Sequence, residues 1–253
     1  MKIRISLLLM SLLVVCSVVL SGCGQDSSSD SSSSSLDPSE INGKIDNDAI
    51  TLLQFAEPEA GADMAVMDTS MGMIKLLFFK DAAPKAVENF VTHAREGYYN
   101  GLKFHKVIND FMIQGGDPTG TGEGGESIFK DESGNAIPFE DEFNLGAWHF
   151  RGALSMVNDG ADTNRSQFFI VQKSSLDEEW ITKMEEALFP QKVIDKYKEV
   201  GGAPWLDYRH TVFGYVVEGM DVVDAIAAVP TDENGMPTED VIINSVEITA
   251  YQP

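Results

Sequence analysis

Apolar residues recur along this chain with two different periods, and the places where the period changes mark its elements. Met64 to Asp68 and Met73 to Phe79 are apolar runs separated by Thr69-Ser70-Met71-Gly72, a turn-sized gap with a glycine that predicts a hairpin. Pro84 then fits the first turn of a helix. Beyond it Ala86, Val87, Phe90, Val91 and Ala94 return at helical steps until Gly97, so one face is core and His93 and Arg95 fall on the solvated side.

The next stretch runs from Phe104 to Asp117 and reads as a pair of short strands. Alternation puts Phe104, Lys106 and Ile108 on one face and His105 and Val107 on the other. After the polar break Asn109-Asp110, Phe111 and Ile113 alternate with Met112 and Gln114 before Gly115-Gly116. A cation, a large aromatic ring, a thioether and an amide in one short segment form the mixture expected of a mostly apolar site with a few placed polar groups.

Two further strand patterns, Arg151 to Asn158 and Ser166 to Val171, flank a polar loop. The period then becomes helical. Trp180, Met184, Ala187 and Leu188 fit one helix, Pro190 breaks the run, and Val193, Ile194 and Tyr197 resume it before Gly201-Gly202. Residues 172–204 are therefore expected to be a helical insertion between strands. Thr211 to Val217 is a strand, Met220 to Ala228 a short helix and Val241 to Thr249 a closing strand, with no internal repeat.

Composition adds the ends of the chain. Lys2 and Arg4, the apolar run Leu7 to Leu20 and the small residues that follow read as a signal segment over residues 1–22, too short for a comfortable membrane span. Leu20-Ser21-Gly22-Cys23 resembles the lipobox of bacterial lipoproteins, which implies cleavage before Cys23, lipid on its thiol and an extracytoplasmic, membrane-anchored protein. Cys16 leaves with the signal, so no internal disulfide is available. Residues 23–63 are expected to be a tether, rich in serine and aspartate as far as Glu40; the aperiodic stretch from Ile41 to Asp63 reads either as more tether or as an ordered lead-in. The folded domain is expected over 64–253.

The formal net charge is −22, and losing Lys2 and Arg4 makes it two units more negative. That argues against nucleic acid or an anionic membrane surface as direct partners, which leaves the lipid as the membrane contact, and it favours a soluble monomer. Gly120, Gly122 and Gly125 spell GxGxxG. No strand-to-helix context surrounds them and no Lys-Ser/Thr pair follows, so they are turn glycines and not a nucleotide loop. The acidic loop with Asp131, Glu132, Asn135, Glu140 and Asp141 matches no calcium template. Neither a metal nor a cofactor is expected. His105, His149 and His210 lack a nucleophile and an orienting acid in recognisable spacing, which argues against a hydrolase.

Three separated blocks carry a more specific signal. Phe104-His105-Lys106-Val107-Ile108 with Phe111 to Asp117, Leu154 to Asn158 with Thr163 to Ile170, and Trp205-Leu206 with His210 and Val212-Phe213-Gly214 resemble the signature blocks of the cyclophilin-type peptidyl-prolyl isomerases. The resemblance implies an all-β-dominated fold, a closed eight-stranded antiparallel barrel capped by two helices, with the groove on its outside. It implies further that Phe111, Met112, Phe169, Leu206 and His210 surround the substrate proline. Gln114, Asn158 and Gln167 would contact the peptide backbone, Trp205 would form a rim associated with cyclosporin-like ligands, and His105 would sit beside the key cation. Proline-containing polypeptides would be the partners and folding of extracytoplasmic proteins the task.

The chain departs from the family in four places. The catalytic cation is Lys106 where the family has arginine, Val157 stands where alanine is usual, Arg165 stands where glycine is common, and residues 171–204 replace a short connection. Isomerisation needs a donor to the twisted prolyl nitrogen, and lysine is a weaker, more mobile substitute for a guanidinium fork. The alternative expectation is a proline-peptide binding module or holdase with little turnover.

Overall fold

The computed structural model describes residues 42–252. Strand β1 (Asp63–Thr69) turns back into β2 (Gly72–Phe78), and Gly72 takes a φ of +134° that glycine adopts without strain. Helix α1 (Pro84–Arg95) follows. Its Phe90 is fully buried and meets Phe78 at 5.5 Å, Tyr99 at 4.8 Å, Phe168 at 5.3 Å and Phe213 at 5.6 Å. Burial of such a ring contributes about 1.5–3 kcal/mol.

The remaining elements are β3 (Lys106–Ile108), β4 (Met112–Gly115), β5 (Ala153–Met156), β6 (Phe168–Val171), α2 (Glu178–Glu186), α3 (Gln191–Val200), β7 (Val212–Glu218), α4 (Met220–Ala227) and β8 (Ile243–Ala250). The strands form one sheet in the order β3-β4-β6-β5-β7-β2-β1-β8, every pairing antiparallel. The sheet curls into a half-barrel around a core of Leu76, Phe90, Phe104, Ile113, Leu154, Ile170 and Phe213 among others.

The expected closed barrel is not reached. The edge strands β3 and β8 share no ladder; among the described residues the two edges meet just before β3, at the bridge Lys103↔Ile242 and the backbone bonds around it from Gly101 and Phe104 N–H and from Ile243 N–H. The reason lies in the outer side of β3: its Val107 N–H donates to Gly235 O at 2.7 Å, so the 232–235 turn takes the place a closing strand would occupy. Two helices, α1 and α4, pack against the sheet, and α2 and α3 make up the insertion.

A second core forms outside the sheet. Ile181 and Met184 of α2 and Val193, Ile194 and Tyr197 of α3 bury against Trp148 and Phe150, and Ile50 and Leu52 close the cluster. Of the two readings open for the stretch before Met64, the ordered lead-in describes residues 42–55: Asn42, Ile50, Leu52 and Gln54 are buried, and the short 3-10 turns there carry no period to read. Two finer readings also change. His93 is buried: its ring packs against Tyr98 at 4.1 Å, tilted by 35°, and its Nε2 reaches Glu126 O at 3.0 Å. Phe104 points into the inner core instead of sharing the Lys106 face, since β3 begins only at Lys106.

Candidate active site

Facing residues of an antiparallel ladder project to the same side of the sheet, so the strand register lays out the outer face in rows. The central row is Lys106, Gln114, Phe169, Ser155 and Val212, one residue from each of five neighbouring strands. Ile108, Met112 and Val171 form the row on one side. Gln167 and Val157 lie on the other, joined by Val157 N–H donating to Gln167 O at 3.0 Å. Alternate residues Val107, Ile113, Ile170 and Leu154 point into the core.

The apolar part of this face gathers Met112, Phe169 and Val212, with Phe111, Val157, Trp205 and Leu206 half-buried around them. Phe111 is aimed by a tight turn in which Asp110 holds a φ of 56°. The Phe111 carbonyl then accepts from Gln172 and Lys173 N–H at 2.7 and 3.2 Å, so the insertion begins pinned to this ring. His210 sets its ring against Phe169 edge-on at 5.5 Å and donates from Nδ1 to Met156 O at 3.2 Å. Burial pushes its pKa down to about 4, with His149 adding to the effect. Burial also lowers the His105 pKa. Both rings are therefore neutral near pH 7, and the Lys106 ammonium carries the charge of the face.

Lys106 is exposed and forms no ion pair among the described residues, whereas Lys75, Lys103, Lys173 and Lys196 are each held by a carboxylate. Opposite it, Gln114 donates from Nε2 to Gln167 Oε1 at 2.9 Å and lies 3.3 Å from His105 Nε2. Gln167 in turn donates to Gly122 O and Gly124 O at 2.9 and 2.7 Å. Asn158 is turned away toward Arg209 O at 2.8 Å and Asp141 Oδ1 at 3.1 Å, and leaves only its carbonyl for a ligand. Beside Val157 a cleft lined by Gly122, Gly124, Asn158 and Arg165 measures about 20 Å³, room for about one water.

The glycine-rich loop explains itself here. Asp117 is buried and accepts from Thr119 N at 2.8 Å, Thr121 N at 3.0 Å, Gly122 N at 2.6 Å and Gly124 N at 3.2 Å. Burial opposes its charge, but these donors together with the Thr119 hydroxyl hold its pKa below the usual carboxylate value. The N–H groups a phosphate would need are already spent on a side chain. The loop serves instead as the acceptor platform for Gln167.

Residues that sequence reasoning did not assign lie just beneath the groove. His149 Nδ1 meets Asp207 Oδ1 at 2.7 Å, and His149 Nε2 meets Ser155 Oγ at 3.0 Å. The His149 ring stacks on Phe169 at 5.9 Å, and Tyr197 of the insertion donates to Asp207 Oδ2 at 2.7 Å. Ser, His and Asp here have the spacing of a hydrolytic triad, but Ser155, His149 and Asp207 are 0, 1 and 5% exposed. No substrate reaches Ser155, so the chain of bonds supports the floor and does no acyl chemistry. Nothing in the spacing could have found it, because Asp207 comes from the far side of the insertion. Cys23 lies outside the described residues.

The sequence profile of the family described as "Cyclophilin type peptidyl-prolyl cis-trans isomerase/CLD" matches residues 64–248. A Staphylococcus aureus (strain USA300) relative assigned to the peptidyl-prolyl cis-trans isomerases is 48% identical over 192 residues, 76% of this chain and 94% of its own. One from Staphylococcus saprophyticus is 49% identical over 183 residues, 72% and 90% of the two chains. The crystal structure of a Cryptosporidium parvum cyclophilin-type isomerase superposes with a TM-score of 0.60 at 30% identity, covering 76% of this chain and 99% of the other. A second crystal structure of that enzyme, obtained in the presence of the dipeptide Ala-Pro, gives 0.59 over 74% and 99%. The family profile covers most of the chain and the relatives match it over nearly their whole length, so the chain belongs to the cyclophilin-type peptidyl-prolyl cis-trans isomerases.

Proposed function

We propose that this isomerase works outside the cytoplasm, held at a membrane by lipid on Cys23, and catalyses X-Pro isomerisation in proteins folding there. The lipobox resemblance supports the anchor; no helix among the described residues is long and apolar enough to cross a membrane. A Cys23→Ser chain should leave the membrane fraction of a bacterial host, and retention there would refute the anchor.

Lys106 is the donor in this reading. An X-Pro bond turns slowly because twisting breaks amide resonance, a barrier of roughly 18–20 kcal/mol. Twisting localises a lone pair on the prolyl nitrogen, and a cation placed there binds the twisted form better than the planar one. The single observation that carries the reading is the unpaired ammonium of Lys106 facing Gln114 across the β3–β4 ladder, beside the Phe111–Met112–Phe169 pocket. The proline ring packs in that pocket, Gln114 and Gln167 hold the peptide backbone, and Val157 restricts the preceding residue to small side chains.

Exchange NMR of a short Ala-Pro peptide with the full chain in detergent micelles tests this. Acceleration that Phe111→Ala abolishes is the expected result. Lys106 also supports a second reading, a proline-peptide binder without turnover, and peptide shifts with no acceleration would establish it.

A further inference from the structure

We propose that Trp180, on the first insertion helix, extends the isomerase site and sets a preference for an aromatic or large apolar side chain immediately after the substrate proline. The proposal rests on the isomerase reading above. It starts from a row of rings: Phe111 lies 5.6 Å from Trp205, and Trp205 lies 4.7 Å from Trp180, both pairs tilted by about 40°. The pocket ring, the rim ring and an insertion ring thus form one continuous aromatic wall.

Helix α2 does not use this tryptophan in its inner packing. Its inward residues Ile181 and Met184 fill the second core, while Trp180 belongs to none of the buried clusters and stays half-exposed. Lys183 covers one face of the ring, its ammonium 4.3 Å from the centroid and tied to Glu179 at 2.7 Å, so a ligand meets the remaining exposed part of the indole. The helix is also fixed relative to the pocket, because Gln172 and Lys173 N–H bind Phe111 O and Lys173 Nζ binds Asp110 at 2.8 Å.

The rows of the outer face give the substrate residue that meets the wall once the residue before proline is placed at Val157, as proposed above. Val157 and Gln167 flank the Phe169 row on one side, and Met112 with the Phe111–Trp205 rings flanks it on the other. With the residue before proline at the Val157 end, the residue after it runs onto Trp205 and Trp180. Rings in such pairs gain about 0.5–1.5 kcal/mol beyond their burial, roughly a 2- to 12-fold preference. With Glu179 and Lys183 paired, Asp177 and Glu178 at the start of α2 add a bias against an acidic side chain there.

The test uses the full chain in detergent micelles and the peptides Ala-Pro-Phe, Ala-Pro-Leu, Ala-Pro-Ala and Ala-Pro-Asp, with exchange NMR giving rate and affinity for each. The expected order is Phe, Leu, Ala, Asp, with Phe favoured over Ala roughly 5-fold and mainly through KM. Trp180→Ala should erase that preference, read as the ratio of KM for Ala-Pro-Ala to that for Ala-Pro-Phe, and Trp180→Phe should keep about half of it. A wild-type chain indifferent to the residue after proline, or a preference that survives Trp180→Ala, overturns the proposal. If no peptide is accelerated, the isomerase reading falls by itself. The affinities from the same spectra then decide for or against Trp180 by the same comparison.

Discussion

Replacing Tyr197 by Phe removes one oxygen from the fastening between insertion and groove. The ring is fully buried and packs on Phe150 at 4.4 Å, so phenylalanine preserves the packing and opens no cavity of consequence. What is lost is the donor to Asp207 Oδ2 at 2.7 Å, while Oδ1 keeps the backbone N–H of His149 at 3.0 Å and its Nδ1 at 2.7 Å. A hydrogen bond to a charged group is worth about 1.5–3 kcal/mol, and here the stripped oxygen stays buried. Tyr197→Phe should therefore cost about 2 kcal/mol, a change on the order of 30-fold in the folded-to-unfolded ratio. Urea unfolding reads this as a lower midpoint at constant slope. A double-mutant cycle with Asp207→Ala should return a coupling of about 1–2 kcal/mol. A loss below about 0.5 kcal/mol, or strict additivity in the cycle, would show that the hydroxyl fastens nothing.

Three further outcomes are expected. Lys106→Arg should raise turnover several-fold at unchanged peptide affinity, because a planar fork loses less freedom on reaching the prolyl nitrogen, and Lys106→Ala should remove turnover; an arginine variant no faster than the parent would mean that the lysine is no handicap. Val157→Ala should widen the cleft of about 20 Å³ and increase the rate on Leu-Pro relative to Ala-Pro peptides, and an unchanged ratio would place the limit elsewhere. His210 has a folded pKa of about 4 against an ordinary 6.5, so the unfolded chain takes the proton first. Its contribution is complete above pH 6.5 and is lost as the pH falls toward 4, by at most about 3 kcal/mol. The stability difference between the parent and His210→Gln should shrink over that interval, and a difference independent of pH would refute the assignment.

Most elements were legible because their residues obey a local period. Met64 to Phe79 reads as a hairpin and folds as one about Gly72, with Thr69 opposite Gly72. The apolar steps from Ala86 to Ala94 become the buried face of α1. What a period cannot carry is strand order: β4 lies beside β6 and β7 beside β2 through pairings far apart in sequence. Nor can it say whether the edges close. That depended on Gly235 reaching Val107 first, a contact no alternation announces. Burial of His93 escaped for the same reason, since Glu126 supplies its acceptor from a distant loop.

The site divides along the same line. Side chains that line the groove lie on strands or next to them, so motif and alternation reach Lys106, Phe111, Gln114, Gln167 and Phe169 together. The polar floor does not. Asp207 must accept from His149 on one side and Tyr197 on the other, and that requirement joins a pre-β5 loop, an insertion helix and the turn carrying Trp205 and Leu206. A buried carboxylate is tolerable only while its donors are in place. The donors come with the second core, whose Trp148 and Phe150 flank His149 in sequence and pack on α2 and α3. The insertion therefore supplies part of the groove floor's hydrogen bonding. A shorter connection at residues 171–204 would have to find another donor for Asp207 or replace the carboxylate.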